Sequence, residues 1–341
     1  MGKIYAILAI SFVILLVINI IFASLTIYSW VTEGLQNLLQ GMNFAERIIT
    51  SNQIKWIILA DFCWVGFALI FLFKRKHYKT DIDRHYLTVN PIANPKICVV
   101  IPTFNEEDVV AQVIRDYKDQ KFISYILIVD NHSSDNTVKL AKQSGAQVIT
   151  KSENLGFSHS CYVGLKEAVK NDANIIVLSE CDGTFAARDI QKMIPYLDNC
   201  DMVIGTRQVQ VLTEKQNQNS MFYVWGNLFI AKLLQLKYFS LLHMGIVNLT
   251  DVGCSYRAIR KDSLEKIISQ FELPYVQKII YKKNGWLFSI FFTMFGISND
   301  LKIVEIPITF KKRIGTSKSK ANQKKKGIVY GLHFIWFIIK S

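Results

Sequence analysis

Two long apolar runs open the chain. Ile4 to Ser29 is almost wholly apolar, with Asn19 as its main polar interruption, and Ile54 to Phe73 repeats the pattern, broken by Lys55 and Asp61. Each is long enough to cross a bilayer. The first is longer than the apolar core of a cleaved signal peptide and is followed by a second run, which favours an anchor. Lys74-Arg75-Lys76-His77-Tyr78-Lys79 follows the second run at once, Lys3 precedes the first, and the connector from Trp30 to Gln53 carries few charges. That asymmetry predicts a two-helix transmembrane hairpin with its connector outside and everything after it cytoplasmic. Asp61 is costly in lipid and is expected to face the partner helix or the interface.

Beyond a polar stretch from Asp81 to Lys96, with Pro91 and Pro95, the pattern changes. Short apolar runs at 97–101, 125–129, 147–150, 175–178 and 202–204 read as strands. Between them, 106–120, 135–144, 158–171 and about 187–197 read as helices. Strands alternating with helices predict an α/β domain with a mostly parallel sheet. Later, Met221 to Leu242 is rich in aromatics and leucine but holds Asn227, Lys232, Gln235 and Lys237, so a helix at the membrane surface is favoured over a third span. Trp286 to Phe295 is too short to span and is expected to be a core helix. Leu301 to Phe310 reads as a strand that Pro307 places at an edge or end. The predicted organisation is a hairpin at 1–80, a linker at 81–95, a catalytic domain at 96–320 and a basic, apolar, membrane-associated tail at 321–341.

Composition sharpens this picture in two ways. The 341 residues are 50% hydrophobic, and the formal charge is +13. The charge predicts anionic partners such as phosphates, nucleotides or an acidic membrane surface; no nucleic-acid-binding motif accompanies it. The six cysteines show no C-x-x-C spacing and read as reduced thiols, not as a disulfide framework or a zinc site.

Candidate chemistry gathers where the predicted strands end. The run Ile175 to Leu178 stops at Glu180-Cys181-Asp182-Gly183. Alternate residues of an extended chain point the same way, so both carboxylates are placed to face one cleft, at the end of the strands where open α/β sheets bind ligands. Such a pair suits a Mg²⁺ or Mn²⁺ ion completed by phosphate oxygens. Pro102-Thr103-Phe104-Asn105-Glu106 closes the first strand. The helix start it opens favours anions, while the Glu106 carboxylate is suited to a nucleotide base or ribose. Asp130-Asn131 closes the second strand and is suited to the same task; Asp135 is placed to cap the next helix.

Taken in order, these motifs resemble family 2 glycosyltransferases of the GT-A, Rossmann-like fold, over roughly 96–320. Pro102 to Glu106 matches the family's P-x-[YF]-N-E. Val129 to Thr137 matches V-D-D-x-S-x-D-x-T, with Asn131 for the second Asp. Asn154-Leu155-Gly156 matches N-x-G, and Glu180-Cys181-Asp182 falls on the metal motif D-x-D, with Glu for the first Asp. Gly205-Thr206-Arg207 resembles G-S-R, whose Arg faces the phosphates. Asp251 to Arg257 and the loop Arg313-Ile314-Gly315-Thr316-Ser317-Lys318 are similar to segments of the polyprenyl-phosphate sugar transferases, such as the dolichyl-phosphate mannose and glucose synthases. The signature Q-x-x-R-W of processive synthases is absent from the sequence.

The resemblance implies an inverting, metal-dependent transfer of a sugar from a nucleotide-diphosphate donor to a polyprenyl phosphate. Pro102, Thr103, Phe104, Glu106, Asp130, Asn131 and Gly156 would line the nucleotide site, with Glu180 beside them. Asp182 and Glu180 would hold the metal, with Asp182 the surer ligand. Arg207, Arg257, Arg313 and Lys318 would supply fixed positive charge around phosphates. A lipid phosphate needs no general base; a glycan hydroxyl would, and Asp251 is the candidate. The departures at Glu180 and Asn131 leave a non-catalytic nucleotide-sugar-binding protein as the alternative of another class. Lys324, Lys325 and Lys326 are expected to meet anionic lipid headgroups.

Overall fold

The computed structural model describes residues 85–238, 247–280, 287–315 and 324–340, with scattered helical positions between 14 and 31 and between 58 and 66. Apart from Val31, the connector 30–53 lies outside the described residues, as do the basic run 74–79 and Lys318. The chain divides into two compact units, one of 1–77 with 335–341, the other of 78–334.

In the smaller unit, Asn19 Nδ2 donates to Asp61 Oδ1 at 2.6 Å. The main polar interruptions of the two apolar runs therefore meet each other. Among the described residues, no helix is long and apolar enough to cross a membrane.

The larger unit is built on a seven-stranded sheet, ordered β3-β2-β1-β4-β6-β5-β7. The strands are β1 (Ile97–Thr103), β2 (Ile123–Asp130), β3 (Gln147–Thr150), β4 (Ile175–Leu178), β5 (Met202–Thr206), β6 (Arg257–Arg260) and β7 (Ile303–Pro307). The helices are α1 (Val110–Lys118), α2 (Thr137–Gln143), α3 (Phe157–Ala168), α4 (Ile190–Leu197), α5 (Met221–Lys237), α6 (Lys261–Ile268), α7 (Pro274–Ile280) and α8 (Phe288–Ser298), and α9 (Lys324–Lys340) contributes residues to both units. Every residue of β1 and β4 is buried, as expected of strands covered on both faces. The helix α3 packs so closely on β1 and β2 that a side chain at Gly164 would run into Val100 and Val129.

The strand β6 is antiparallel to both β4 and β5, whereas the remaining pairings are parallel. The sequence pattern does not announce β6: Arg257-Ala258-Ile259-Arg260 has two apolar residues between two arginines. β7 is one of the two edge strands and ends at Pro307, as that residue predicts. The apolar stretch after Trp286 is α8, buried from Phe288 to Ile297. α5 ends at Lys237 and exposes Met221, Phe222, Trp225 and Phe229.

The polar stretch before β1 is strapped to the domain. Asn90 N donates to Asp198 O at 2.7 Å, Arg260 Nη1 donates to Asn90 O at 2.9 Å, and Lys302 Nζ donates to Tyr86 O at 3.2 Å.

Candidate active site

The carboxyl ends of β1, β2, β4 and β5 bring most of the expected residues together. After β1 the chain turns through Asn105, held at φ +53°, a left-handed conformation in which Asn is one of the few tolerated side chains. Asn105 N donates to Ser133 Oγ, and Ser134 N donates to Asn105 Oδ1, both at 2.9 Å. The two loops after β1 and β2 are thereby tied together. Pro102 and Thr103 are buried at the end of β1, and Phe104 follows at the rim.

Asp130 is fully buried and accepts the Ser133 N–H. Asn131 has a structural reason to be an amide. Its Nδ2 donates to Asn154 Oδ1 at 2.8 Å while its Oδ1 accepts Leu155 N at 3.2 Å. An aspartate could only accept. Asn131 therefore pins the Asn154-Leu155-Gly156 loop, and Gly156, at φ +89°, leads into α3. Lys151, not signalled by any motif, stands next to Asp130: its N–H donates to Asp130 O at 3.1 Å and its Nζ to Ser160 Oγ at 3.0 Å. Burial lowers the Lys151 pKa to about 8, against the pull of nearby anionic groups.

Asp182 closes a tight turn beyond β4. Its Oδ1 accepts Thr184 N at 3.0 Å and Thr184 Oγ1 at 2.6 Å. Its Oδ2 accepts Arg313 Nη1 at 2.8 Å, and the other arm of that guanidinium, Nη2, reaches Glu106 Oε1 at 3.0 Å. Glu106 is thus turned towards Asp182. The backbone of the same segment is zipped to the turn, with Lys311 N donating to Thr184 O at 2.8 Å and Ile314 N to Asp182 O at 3.0 Å. Gly183 adopts φ +75°, and a Cβ there would lie 2.9 Å from Ile314. Glu180 accepts the Ser255 hydroxyl. Burial, then the charge of Asp182, pushes the Glu180 carboxyl up to about 7.

Arg207 is the first residue past β5. Its Nε and Nη2 grip Asp251 Oδ2 and Oδ1 at 2.7 and 2.8 Å, and its backbone N adds a third bond to Oδ2 at 3.1 Å. Burial works against the Arg207 charge, and Asp251 more than offsets it, raising the pKa above the usual arginine value. Glu305 on β7 holds this pair from behind. It accepts Asp251 N at 2.9 Å and both Thr250 N and Thr250 Oγ1 at 2.7 Å.

Two expectations are corrected. Arg257 does not face the phosphate side. It lies inside the sheet, opposite Leu178 and Ile204, where a side chain leaves through a face and not past the strand ends. It is fully buried, donates to Ser289 O and Thr293 Oγ1 at 3.2 Å and to Cys254 O at 2.5 Å, and lies over the Phe292 ring. Burial lowers its pKa to about 10. Asp251 is likewise no free base: it is fully buried and both carboxylate oxygens are taken by Arg207.

A model of the family described as Glycosyl transferase family 2 matches residues 98–268. The chain is 26% identical over 249 residues to polyprenol monophosphomannose synthase of Mycolicibacterium smegmatis, covering 71% of this chain and 86% of that protein. It is 24% identical over 253 residues to undecaprenyl-phosphate mannosyltransferase of Micrococcus luteus, covering 71% and 96%. Among solved structures, glucosyl-3-phosphoglycerate synthase from Mycobacterium tuberculosis matches with a TM-score of 0.46 at 15% identity, over 72% of this chain and 80% of that one.

Proposed function

The chain belongs to glycosyl transferase family 2, and from that premise we propose that it moves a sugar from a nucleotide-diphosphate donor to a polyprenyl phosphate at a membrane surface, inverting the anomeric centre. The observation that carries the acceptor is the state of Asp251. A hydroxyl acceptor needs a base within reach of its proton, and the residue expected to serve is sealed in a bidentate pair with Arg207. A phosphate acceptor is already an anion and needs none. The relatives named for polyprenol and undecaprenyl phosphate support the same reading.

The donor end fits a divalent cation. Asp182 Oδ2 and Glu106 Oε1 already converge on one positive group. Carboxylate oxygens are the ligands that Mg²⁺ or Mn²⁺ takes, one or two at a time, with diphosphate oxygens completing the shell. Asp182 would hold it, with Glu180 alongside; when bound, such a cation neutralises the charge growing on the departing diphosphate. Arg207, steadied by Asp251 and Glu305, supplies fixed positive charge at the end of β5. Asp130 and the loop pinned by Asn131 form the wall against which a nucleoside packs.

The test is transfer itself. The purified full chain is incubated with a panel of nucleotide sugars and a polyprenyl phosphate, with and without Mn²⁺ or Mg²⁺. Metal-dependent formation of a glycosyl phosphate lipid is expected. Transfer only to glycan-bearing lipids, or donor binding without turnover on either acceptor, would overturn the proposal.

A further inference from the structure

Arg313 spans two carboxylates that a donor complex needs for other purposes. One arm lies on Asp182 Oδ2 and the other on Glu106 Oε1. The three side chains are largely buried, at 15%, 6% and 11% exposure for Arg313, Asp182 and Glu106. The guanidinium reaches them from a segment laid along the Asp182 turn by two backbone hydrogen bonds, with Lys312 N donating to Glu214 Oε2 at 2.6 Å just before it. This segment, Arg313 included, borders open space. A cavity of about 600 Å³, lined in part by Arg115, Asp116, Glu214 and Lys311, lies against it and extends to Gly183 and Ile314. The segment therefore has space to yield into.

We propose that Arg313 is a resident counter-cation: in the ligand-free protein its guanidinium neutralises Asp182 and Glu106, and a divalent cation gains Asp182 only by displacing it. One exchange then does two things. Asp182 is released to the incoming cation and Glu106 is released towards the nucleoside, so metal and nucleotide bind cooperatively. The displaced guanidinium is left beside the diphosphate, whose oxygens its planar fork also matches. Without a nucleotide, the cation must compete against two charge-assisted bonds with no new partner for Arg313. The diphosphate partner rests on the function proposed above; the exchange at Asp182 involves only groups of this chain.

The signs distinguish this role from simple phosphate binding. Mn²⁺ is titrated into the nucleotide-free full chain, with free Mn²⁺ followed by electron paramagnetic resonance. Arg313→Ala is expected to bind Mn²⁺ about tenfold more tightly than the natural protein, within the usual range of coupling between sites. With UDP or GDP present, the same variant should bind Mn²⁺ more weakly than the natural protein. Millimolar guanidinium chloride should restore the weak, natural affinity to nucleotide-free Arg313→Ala while leaving the natural protein unchanged. Should the truncation unfold the chain, Arg313→Lys keeps the charge but cannot span both carboxylates, and its nucleotide-free affinity should fall between the two. An unchanged or weakened nucleotide-free affinity in the folded variants would overturn the proposal. Because the readout is metal binding, a failure to transfer sugar to polyprenyl phosphate would leave this result standing.

Discussion

Arg207 and Asp251 meet through parallel bonds of 2.7 and 2.8 Å, with Asp251 fully buried and Glu305 bonded to the backbone behind it. This pair fastens the end of β5 to the segment that enters β6. Breaking one partner of a buried pair costs about 3–5 kcal/mol, because the other charge is left uncompensated. Asp251→Asn is therefore expected to lower unfolding free energy by about that amount, read from denaturant midpoints. A variant of natural stability that had lost only turnover would instead mark Asp251 as a base.

Asp182→Asn keeps the shape of the turn and removes the charge that attracts a cation. Metal-dependent transfer by the folded protein should fall by about a hundredfold or more, and the unfolding midpoint should drop as well because Arg313 loses its charged partner. Glu180→Asp should be tolerated, since it restores the residue usual at this position. Normal metal-dependent transfer by a folded Asp182→Asn protein would remove the basis of the donor assignment.

Arg207 and Arg257, expected to share one role and placed apart by the fold, give a paired test. Arg257 is expected to behave as a packing residue, so Arg257→Met should alter the unfolding midpoint while changing kcat by less than about threefold. Arg207→Met should reduce kcat/KM by about a hundredfold or more. Similar kinetic losses in both would return Arg257 to the phosphate site.

Lys151 carries a pH signature. Its pKa in the folded chain is about 8, below the ordinary 10.5. Between these values the unfolded chain still holds a proton that the folded chain has released, so this residue's contribution to stability rises with pH across that window. Below about pH 8 the folded protein bears the full cost of burying the charge. Lys151→Met should therefore be more stable than the natural protein at pH 7, and the advantage should shrink towards pH 10. A difference that stays constant between pH 7 and 10 would show that Lys151 is not desolvated in solution.

From the flanking charges we predict that the two apolar runs cross a membrane with the connector between them outside. A cysteine placed within 30–53 should react with a membrane-impermeant reagent in intact cells, and one placed on the surface of the 96–320 domain should stay protected. The reverse pattern would invert the topology.

What the sequence made legible follows from range. β4 could be read because four apolar residues, Ile175 to Leu178, end abruptly at polar ones, a local signal. The loops after β1 and β2 could be read because their turn residues lie within one short motif each. β6 could not: its four residues include two arginines, and only pairing with β4 on one side and β5 on the other makes them a strand. Nor could the role of Arg257 be separated from that of Arg207. Both follow a short motif, but one falls inside the sheet and the other just past it. The bond from Arg313 to Asp182 spans 131 residues, and nothing local chooses that carboxylate over Glu180. The amide at Asn131 departs from the family motif, and its reason, donation to Asn154, lies 23 residues away.

The strap ahead of β1 carries a consequence for synthesis. Tyr86 leaves the ribosome early, yet the lysine that holds it, Lys302, comes 216 residues later. Arg260, which holds Asn90, comes 170 residues later. The first segment of the domain therefore docks among the last, since contacts so distant in sequence wait on the chain between them. Until Lys302 emerges, the Tyr86 carbonyl lacks the ammonium that holds it in the finished fold. A truncation before that residue would leave the strap with no lysine to close it.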